Sequence, residues 1–219
     1  MMKKVKSFLR LVPEVGLVYT LQQVKWTLIP DWLVEFNVWD ASRTDISHLA
    51  DLTTHDPALR WATAADIPRL AAFDIKPEVL TDALEKTVRI AIYEDGDRIV
   101  GYGQYAIDHW EQSDWLRFRI HEEEFLGAGL WVDPDFRGRG LGKQIMNFGW
   151  SEMVRSGRHR TVGIVNRLNR NMKQSAAKVA KVRYEPFLVI RFLGFTYYRY
   201  GNRRQLGRWT RRNRLTIPI

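Results

Sequence analysis

The segment Leu130-Trp131-Val132-Asp133-Pro134-Asp135-Phe136-Arg137-Gly138-Arg139-Gly140-Leu141-Gly142-Lys143 carries residue types that folding alone explains poorly. An apolar run gives way to a turn, and the turn to glycines at alternate positions, Gly138, Gly140 and Gly142. Glycines so placed let the backbone take tight or positive-φ geometry and bring successive N–H groups close to a ligand. A helix starting here would aim its free amides at the same point, which holds an anion without any side chain. Arg137, Arg139 and Lys143 add positive charge. The spacing predicts a strand, a phosphate-cradling turn and a helix around an anionic cofactor; the competing reading is a tight strand-to-helix turn with no ligand.

Spacing narrows the choice of anion. A P-loop needs Gly five residues before its Gly-Lys pair and Ser or Thr after it, but Arg137 and Gln144 stand there. A dinucleotide fingerprint needs G-x-G-x-x-G, whereas these glycines run G-x-G-x-G. The segment resembles the acyl-CoA signature of the GCN5-related N-acetyltransferases (GNAT family), V-x-P-x-x-R-G-x-G-x-G, at Val132, Pro134, Arg137, Gly138, Gly140 and Gly142. A second stretch, Arg60-Trp61-Ala62-Thr63 followed by Asp66-Ile67-Pro68, is similar to the opening strand and helix of many domains of that family. A third is partial: of the pattern N-x-x-A-x-x-L-Y-x-K-x-G-F, Asn169 and Lys178 match, while Met172, Ala176 and Ala180-Lys181 depart from it. Ala176 stands where the family's usual acid, a Tyr, would be. The resemblance covers residues 58 to 200.

The resemblance implies a mixed α/β (α+β) fold, with a mostly antiparallel central sheet and helices on both faces. It implies an N-acyltransferase moving an acyl group from acetyl-CoA, with no metal, to a small-molecule or peptide amine. Leu130, Trp131, Val132, Arg137, Gly138, Arg139, Gly140, Leu141, Gly142, Lys143 and Asn169 are then the expected cofactor-binding residues, and a homodimer is the common assembly. Attack of an amine on a thioester needs a base, a donor for the developing oxyanion and an acid for the leaving thiolate. In the family the backbone of the strand before the phosphate turn, here Leu130 to Val132, supplies the oxyanion donor, and a Glu or Asp on that strand is the base. Strand alternation puts Glu124, Leu126, Ala128, Leu130 and Val132 on one face, which makes Glu124 the expected base, with Glu122 next. The alternative for Glu122-Glu123-Glu124 is a solvated strand start. Asp108 and Tyr184 are further candidates without an assigned role.

The elements that must position these groups can be read from periodicity. Leu141, Ile145, Phe148 and Met153 predict a helix over 141–155. Val88–Tyr93 and Arg98–Ile107, joined by the turn Glu94-Asp95-Gly96-Asp97, predict a hairpin, and residues 118–132 a strand region. One or two short helices between Ala71 and Lys86 present Leu80, Ala83 and Leu84 inward. Further predictions are, over Leu59 to Pro68, a strand leading to a helix capped by Thr63 or Asp66, then a strand over 160–165, a helix over 168–182 with Asn169 at its start, and two closing strands, 187–193 and 195–200. Ahead of residue 58, apolar positions from Val15 to Ile29 suit an amphipathic helix ended by Pro30, and Leu33 to Trp39 an extended segment. This gives three units: an N-terminal helix-strand extension (1–57), the acyltransferase domain (58–200) and a basic C-terminal tail (201–219).

Composition bounds the alternatives. With 45% hydrophobic and 27% charged residues the chain is globular in type. It has no cysteine, which excludes disulfides, a thiolate nucleophile and Cys-based zinc sites. Its five histidines show no metal-ligand spacing. No apolar stretch is long enough for a transmembrane helix or a signal peptide, so the expected location is cytoplasmic. The net charge of +9 is uneven: residues 1–136 hold 14 Lys or Arg and 23 acids, and residues 137–219 hold 20 Lys or Arg against Glu152 and Glu185. Such asymmetry suits a second function class, a basic protein binding nucleic acid or an anionic membrane through its C-terminal half. A solvated tail, or neutralisation of one half by the other within the fold, is the favoured explanation.

Overall fold

A computed structural model describes residues 34–49, 56–73, 75, 77–84, 87–167, 169–193, 195–209 and 213–219. The expected helix over residues 15–29 lies outside them. In chain order the strands are β1 (Val34–Asp45), β2 (Leu59–Trp61), β3 (Val88–Asp95), β4 (Arg98–Ala106), β5 (His109–Ser113), β6 (Leu116–Arg119), β7 (Glu124–Val132), β8 (Arg160–Asn166), β9 (Tyr184–Phe192), β10 (Phe195–Tyr200), β11 (Arg203–Arg208) and β12 (Leu215–Pro218). The α-helices are α1 (Ile67–Leu70), α2 (Pro77–Leu84), α3 (Leu141–Arg155) and α4 (Arg170–Ala177). Among the described residues, nine strands form one sheet in the order β11-β10-β9-β1-β8-β7-β4-β3-β2, and β12, β6 and β5 form a second. Every pair in the large sheet is antiparallel except β7 with β8, so the mixed, mostly antiparallel α/β fold is as expected.

Two apolar clusters share the large sheet. One lies beneath α3, where Ile145, Met146 and Met153 meet Phe125 and Tyr105; the other is on the opposite face, where Phe118 and Ile217 of the small sheet meet Leu126, Phe187 and Val189. α3 begins and ends at the predicted residues, and all four of its predicted apolar positions are buried. The β3–β4 hairpin also forms, with both strands reaching the turn itself: Gly96 takes φ +59° and pairing continues to Asp95 and Arg98.

Other stretches differ from the reading of the sequence. β1 runs through the polar stretch to Asp45 and is part of the sheet rather than an appendage, pairing with β8 on one side and β9 on the other. The region before Val132 holds a hairpin, β5–β6, as well as β7. α4 is shorter than the predicted 168–182 because the chain turns after Ala177. The described residues after 200 are not a free tail: β11 joins the large sheet and β12 pairs in parallel with β6. Alternation buries Leu215, Ile217 and Ile219, which anchors the C-terminal residues against the core.

The polar core near β2 is specified by one carboxylate. Asp66 is 3% exposed and accepts from Arg60 at 2.7 and 2.8 Å, from Arg69 at 3.1 Å, and from the Thr63 N–H and hydroxyl at 2.8 and 2.9 Å. The same arginines bind Glu94. Hydrogen bonds from Arg60, then from Thr63, hold the Asp66 carboxyl far below the usual carboxylate range. A depressed folded-state pKa gives stability that is present above the unfolded value, about 3.9, and lost as pH falls through the folded one. Asp66→Asn should therefore cost about 3 kcal/mol at neutral pH, a deficit that shrinks toward pH 2. Urea unfolding at both pH values checks this, and an equal deficit at each would contradict it.

Candidate functional site

β7 and β8 start as neighbours and then part. They pair in parallel from Glu124–Arg160 to Gly127–Gly163. Beyond Gly127, β7 continues against β4 as far as Val132, while β8 continues against β1 as far as Asn166. The inner edges of both strands thus open onto a wedge, leaving backbone amides and carbonyls of β7 without a strand partner. A cleft of about 810 Å³ fills this wedge, bounded by β7, the turn before α3, β8 and α4.

The turn at the mouth of the cleft has the form its glycines predict. Asp133, buried, accepts from the Asp135 N–H at 2.9 Å and pairs with Arg98, closing a short 3-10 turn over Pro134–Phe136. Arg137 Nε donates to the Val132 carbonyl at 3.0 Å and ties the turn back to the strand. Gly138 and Gly140 take φ +80° and +82°, the latter as the N-cap of α3. With no side chain at that cap, the free N–H groups of the first turn of α3 face the cleft mouth unobstructed.

Of the residues the sequence nominated for a cofactor, Leu130, Trp131, Val132, Arg137, Gly138, Gly140, Leu141, Gly142, Lys143 and Asn169 all border this cleft. Arg139 does not, since its guanidinium lies over the Phe136 ring, 5.0 Å from the centroid. Asn169 caps α4 by accepting from the Met172 N–H at 3.0 Å. The cleft also takes in Tyr184 from β9, a candidate of the sequence without a role, and residues with no motif to flag them: Ser42 and Thr44 from β1, and Gln104 and Tyr105 from β4. The Thr44 hydroxyl is buried without a hydrogen-bond partner, whereas Asp108 is exposed and bonded to His109 Nδ1.

Glu124 is placed differently from the alternation argument. Pairing of β4 with β7 slips between Gln104 and Tyr105, which face Gly129 and Gly127 and leave Ala128 unopposed. A bulge of this kind reverses the facing of all residues beyond it. Leu130 and Val132 therefore pack under α3, while Leu126 and Ala128 pack on the opposite face. Glu124, 2% exposed, does not border the cleft; Arg43 of β1 contacts both its oxygens, Nε at 2.9 Å and Nη2 at 3.3 Å. The phenol of Tyr200 completes this cluster, raised above its usual pKa by burial and then by Glu185 and Glu124 against the pull of Arg43.

Tyr184 stands at the inner boundary of the cleft. Burial, and then the charge of Asp40, push its phenol above the usual pKa, so it stays protonated near neutrality. Asp40 itself is held by Arg167 and Lys173, and Lys173 Nζ lies 5.3 Å from the Tyr184 ring centroid. The wedge thus brings a phosphate-suited turn and a protonated phenol to one cavity, with a buried carboxylate on the other side of the sheet.

Residues 86–184 match the family model of the acetyltransferase (GNAT) domain. Comparison with curated proteins finds no match. Among solved structures, an acetyltransferase of the GNAT family from Colwellia psychrerythraea is 15% identical with a TM-score of 0.50, over 72% of this chain and 56% of its own. A Drosophila protein is 14% identical with a TM-score of 0.50, over 78% of this chain and 56% of its own. This chain therefore spans little more than half the length of either, and the likeness is one of fold. An aminoglycoside N-acetyltransferase in complex with CoA is 15% identical with a TM-score of 0.48, over 58% of this chain and 92% of its own.

Proposed function

We propose that this chain, whose residues 86–184 match the acetyltransferase (GNAT) domain model, transfers an acyl group from acetyl-CoA to an amine. The observation that carries this reading is the wedge between β7 and β8, open from Gly127 onward and ending at the glycine turn before α3. The pyrophosphate of the cofactor suits the amides at Gly138–Gly142 and the charges of Arg137 and Lys143. Its pantetheine arm, an extended chain of amides, suits the unpaired backbone edge of β7 in the manner of an added strand. The thioester then reaches the bulge at Ala128, where N–H groups of β7 serve the developing oxyanion.

The acceptor amine attacks from the face of the sheet opposite α3. There Glu124, oriented by Arg43, takes a proton from the amine through water. The amine nitrogen bonds to the carbonyl carbon, the tetrahedral adduct collapses, and the C–S bond breaks. Tyr184, kept protonated by its buried surroundings, gives its proton to the leaving thiolate and recovers one from solvent. The acceptor is a small molecule or a peptide amine.

Calorimetric titration with acetyl-CoA, followed by thiol release with a panel of amines, tests the reading. Saturable binding and amine-dependent release of CoA are expected, and no binding at high micromolar cofactor would reject the site. Tyr184→Phe should lower kcat about tenfold to a hundredfold while leaving acetyl-CoA affinity unchanged. An unchanged kcat would remove Tyr184 from the proposed mechanism.

A further inference from the structure

The β9–β10 hairpin ends in side chains that the fold does not use. Phe192 pairs with Phe195, and Leu193, which follows Phe192, takes φ +48°. A left-handed backbone is unfavourable for any residue with a Cβ, and such positions favour Asn or Gly. Leu193 recovers little through burial: it is 58% exposed, beside Phe192 at 48% and Phe195 at 54%. A strained, solvent-facing leucine between two exposed phenylalanines points to a role outside folding.

The neighbouring strands supply matching charge. Phe195 lies opposite Arg208, and Arg199 directly opposite Arg204. Like charges so opposed weaken a sheet, and among the described residues none of these three arginines has an ion-pair partner. Register places Phe192, Phe195, Arg199, Arg204 and Arg208 on one face, with Leu206, 69% exposed, between the two β11 arginines.

We propose that this hairpin tip docks on a membrane surface bearing anionic lipid, with Phe192, Leu193 and Phe195 entering the acyl boundary and the three arginines meeting the headgroups. The tip residues line neither cleft of the described residues, which suits insertion into an interface rather than reception of a partner's side chain. Arg199 lies four residues from Phe195, roughly 13 Å along the strand, and the interface admits apolar groups to about 5–10 Å. The long arginine side chains span the difference. A second copy paired edge to edge along β11 would set arginine against arginine. Residues 1–33, with five Lys or Arg against Glu14 and Asp31, also carry the wrong sign to neutralise this face. The inference stands independently of whether the cleft binds acetyl-CoA.

Flotation of the full chain with phosphatidylcholine vesicles, with and without phosphatidylglycerol, is the test. The protein should float with the anionic vesicles and be released by salt. Leu193→Asn suits the left-handed turn and preserves the fold; combined with Phe195→Ser it should lower the bound fraction at least about tenfold. Arg199→Gln with Arg204→Gln should weaken binding to anionic vesicles, and thermal unfolding confirms that each variant is folded. The proposal is overturned if the wild type binds no vesicle, or if the tip variant binds as well as the wild type, which would place the contact elsewhere. It is equally overturned if sedimentation shows a wild-type dimer that the tip variant dissolves, because the patch would then be an interface between copies.

Discussion

Glu124→Gln lowers turnover about 10²- to 10⁴-fold at neutral pH, the range for loss of a general base, and leaves acetyl-CoA affinity unchanged. The amide keeps the size of the carboxylate and can still accept a hydrogen bond from Arg43, which is half exposed and retains water as a partner. Loss of the charge is therefore felt in the chemistry more than in folding. The signature is the pH dependence. At higher pH the acceptor amine arrives neutral without help, so the deficit of the variant shrinks as pH rises. A merely structural role for the Glu124–Arg43 pair would give a deficit that is flat with pH and accompanied by a lower unfolding midpoint. Steady-state kinetics from pH 6 to 10, on samples checked for folding, separates the two.

The base is also where the reading of the sequence met its limit. Alternation placed Glu124 on the same face as Leu130 and Val132, and would have aimed it at the cofactor. The unpaired Ala128 inverts that relation, yet nothing in the residues from Glu124 to Val132 announces a bulge, because Gly127 and Gly129 would fit a regular strand equally well. What was legible was local: the glycine turn, the α3 boundaries, and the β3–β4 hairpin are each written in neighbouring residues. What was not legible depends on partners distant in sequence. β1 sits between β8 and β9, and only that placement brings Ser42 and Thr44 to the cleft and Arg43 to Glu124. The parallel pairing of β12 with β6 likewise turns an apparent tail into part of the fold. Arg139 shows a subtler failure, since counting cations in the turn could not reveal that one is spent on Phe136. Tyr184 was a candidate without a role, because its place on the cleft depends on β9 lying beside β1.

The second large effect concerns how α3 is seated, and through it the phosphate turn. Gly149 lies on the buried face of α3, and a Cβ there would come within 2.2 Å of Tyr105 Cζ and 2.4 Å of its hydroxyl oxygen. The Tyr105 ring has little room to yield: it is 3% exposed, its hydroxyl donates to the Ile145 carbonyl at 3.1 Å, and Trp61 and Phe125 stand edge-on to it at 5.8 and 6.0 Å. Burial alone pushes this phenol far above its usual pKa, so it remains a neutral donor at any working pH. Gly149→Ala must therefore move the helix or eject the ring, and should cost about 3 kcal/mol, the upper part of the range for overpacking. That outweighs the gain of up to about 1 kcal/mol that alanine brings to a helix interior. If the overlap with Tyr105 is the cause, the same substitution made in a Tyr105→Leu background should cost at least about 1 kcal/mol less, a coupling that a double-mutant cycle in urea resolves. The variant that still folds should also bind acetyl-CoA more weakly, because a shift of α3 carries Gly140 and the free amides of its first turn away from the cleft mouth. Equal costs in the two backgrounds would show that the contact between helix and ring does not set the position of the turn.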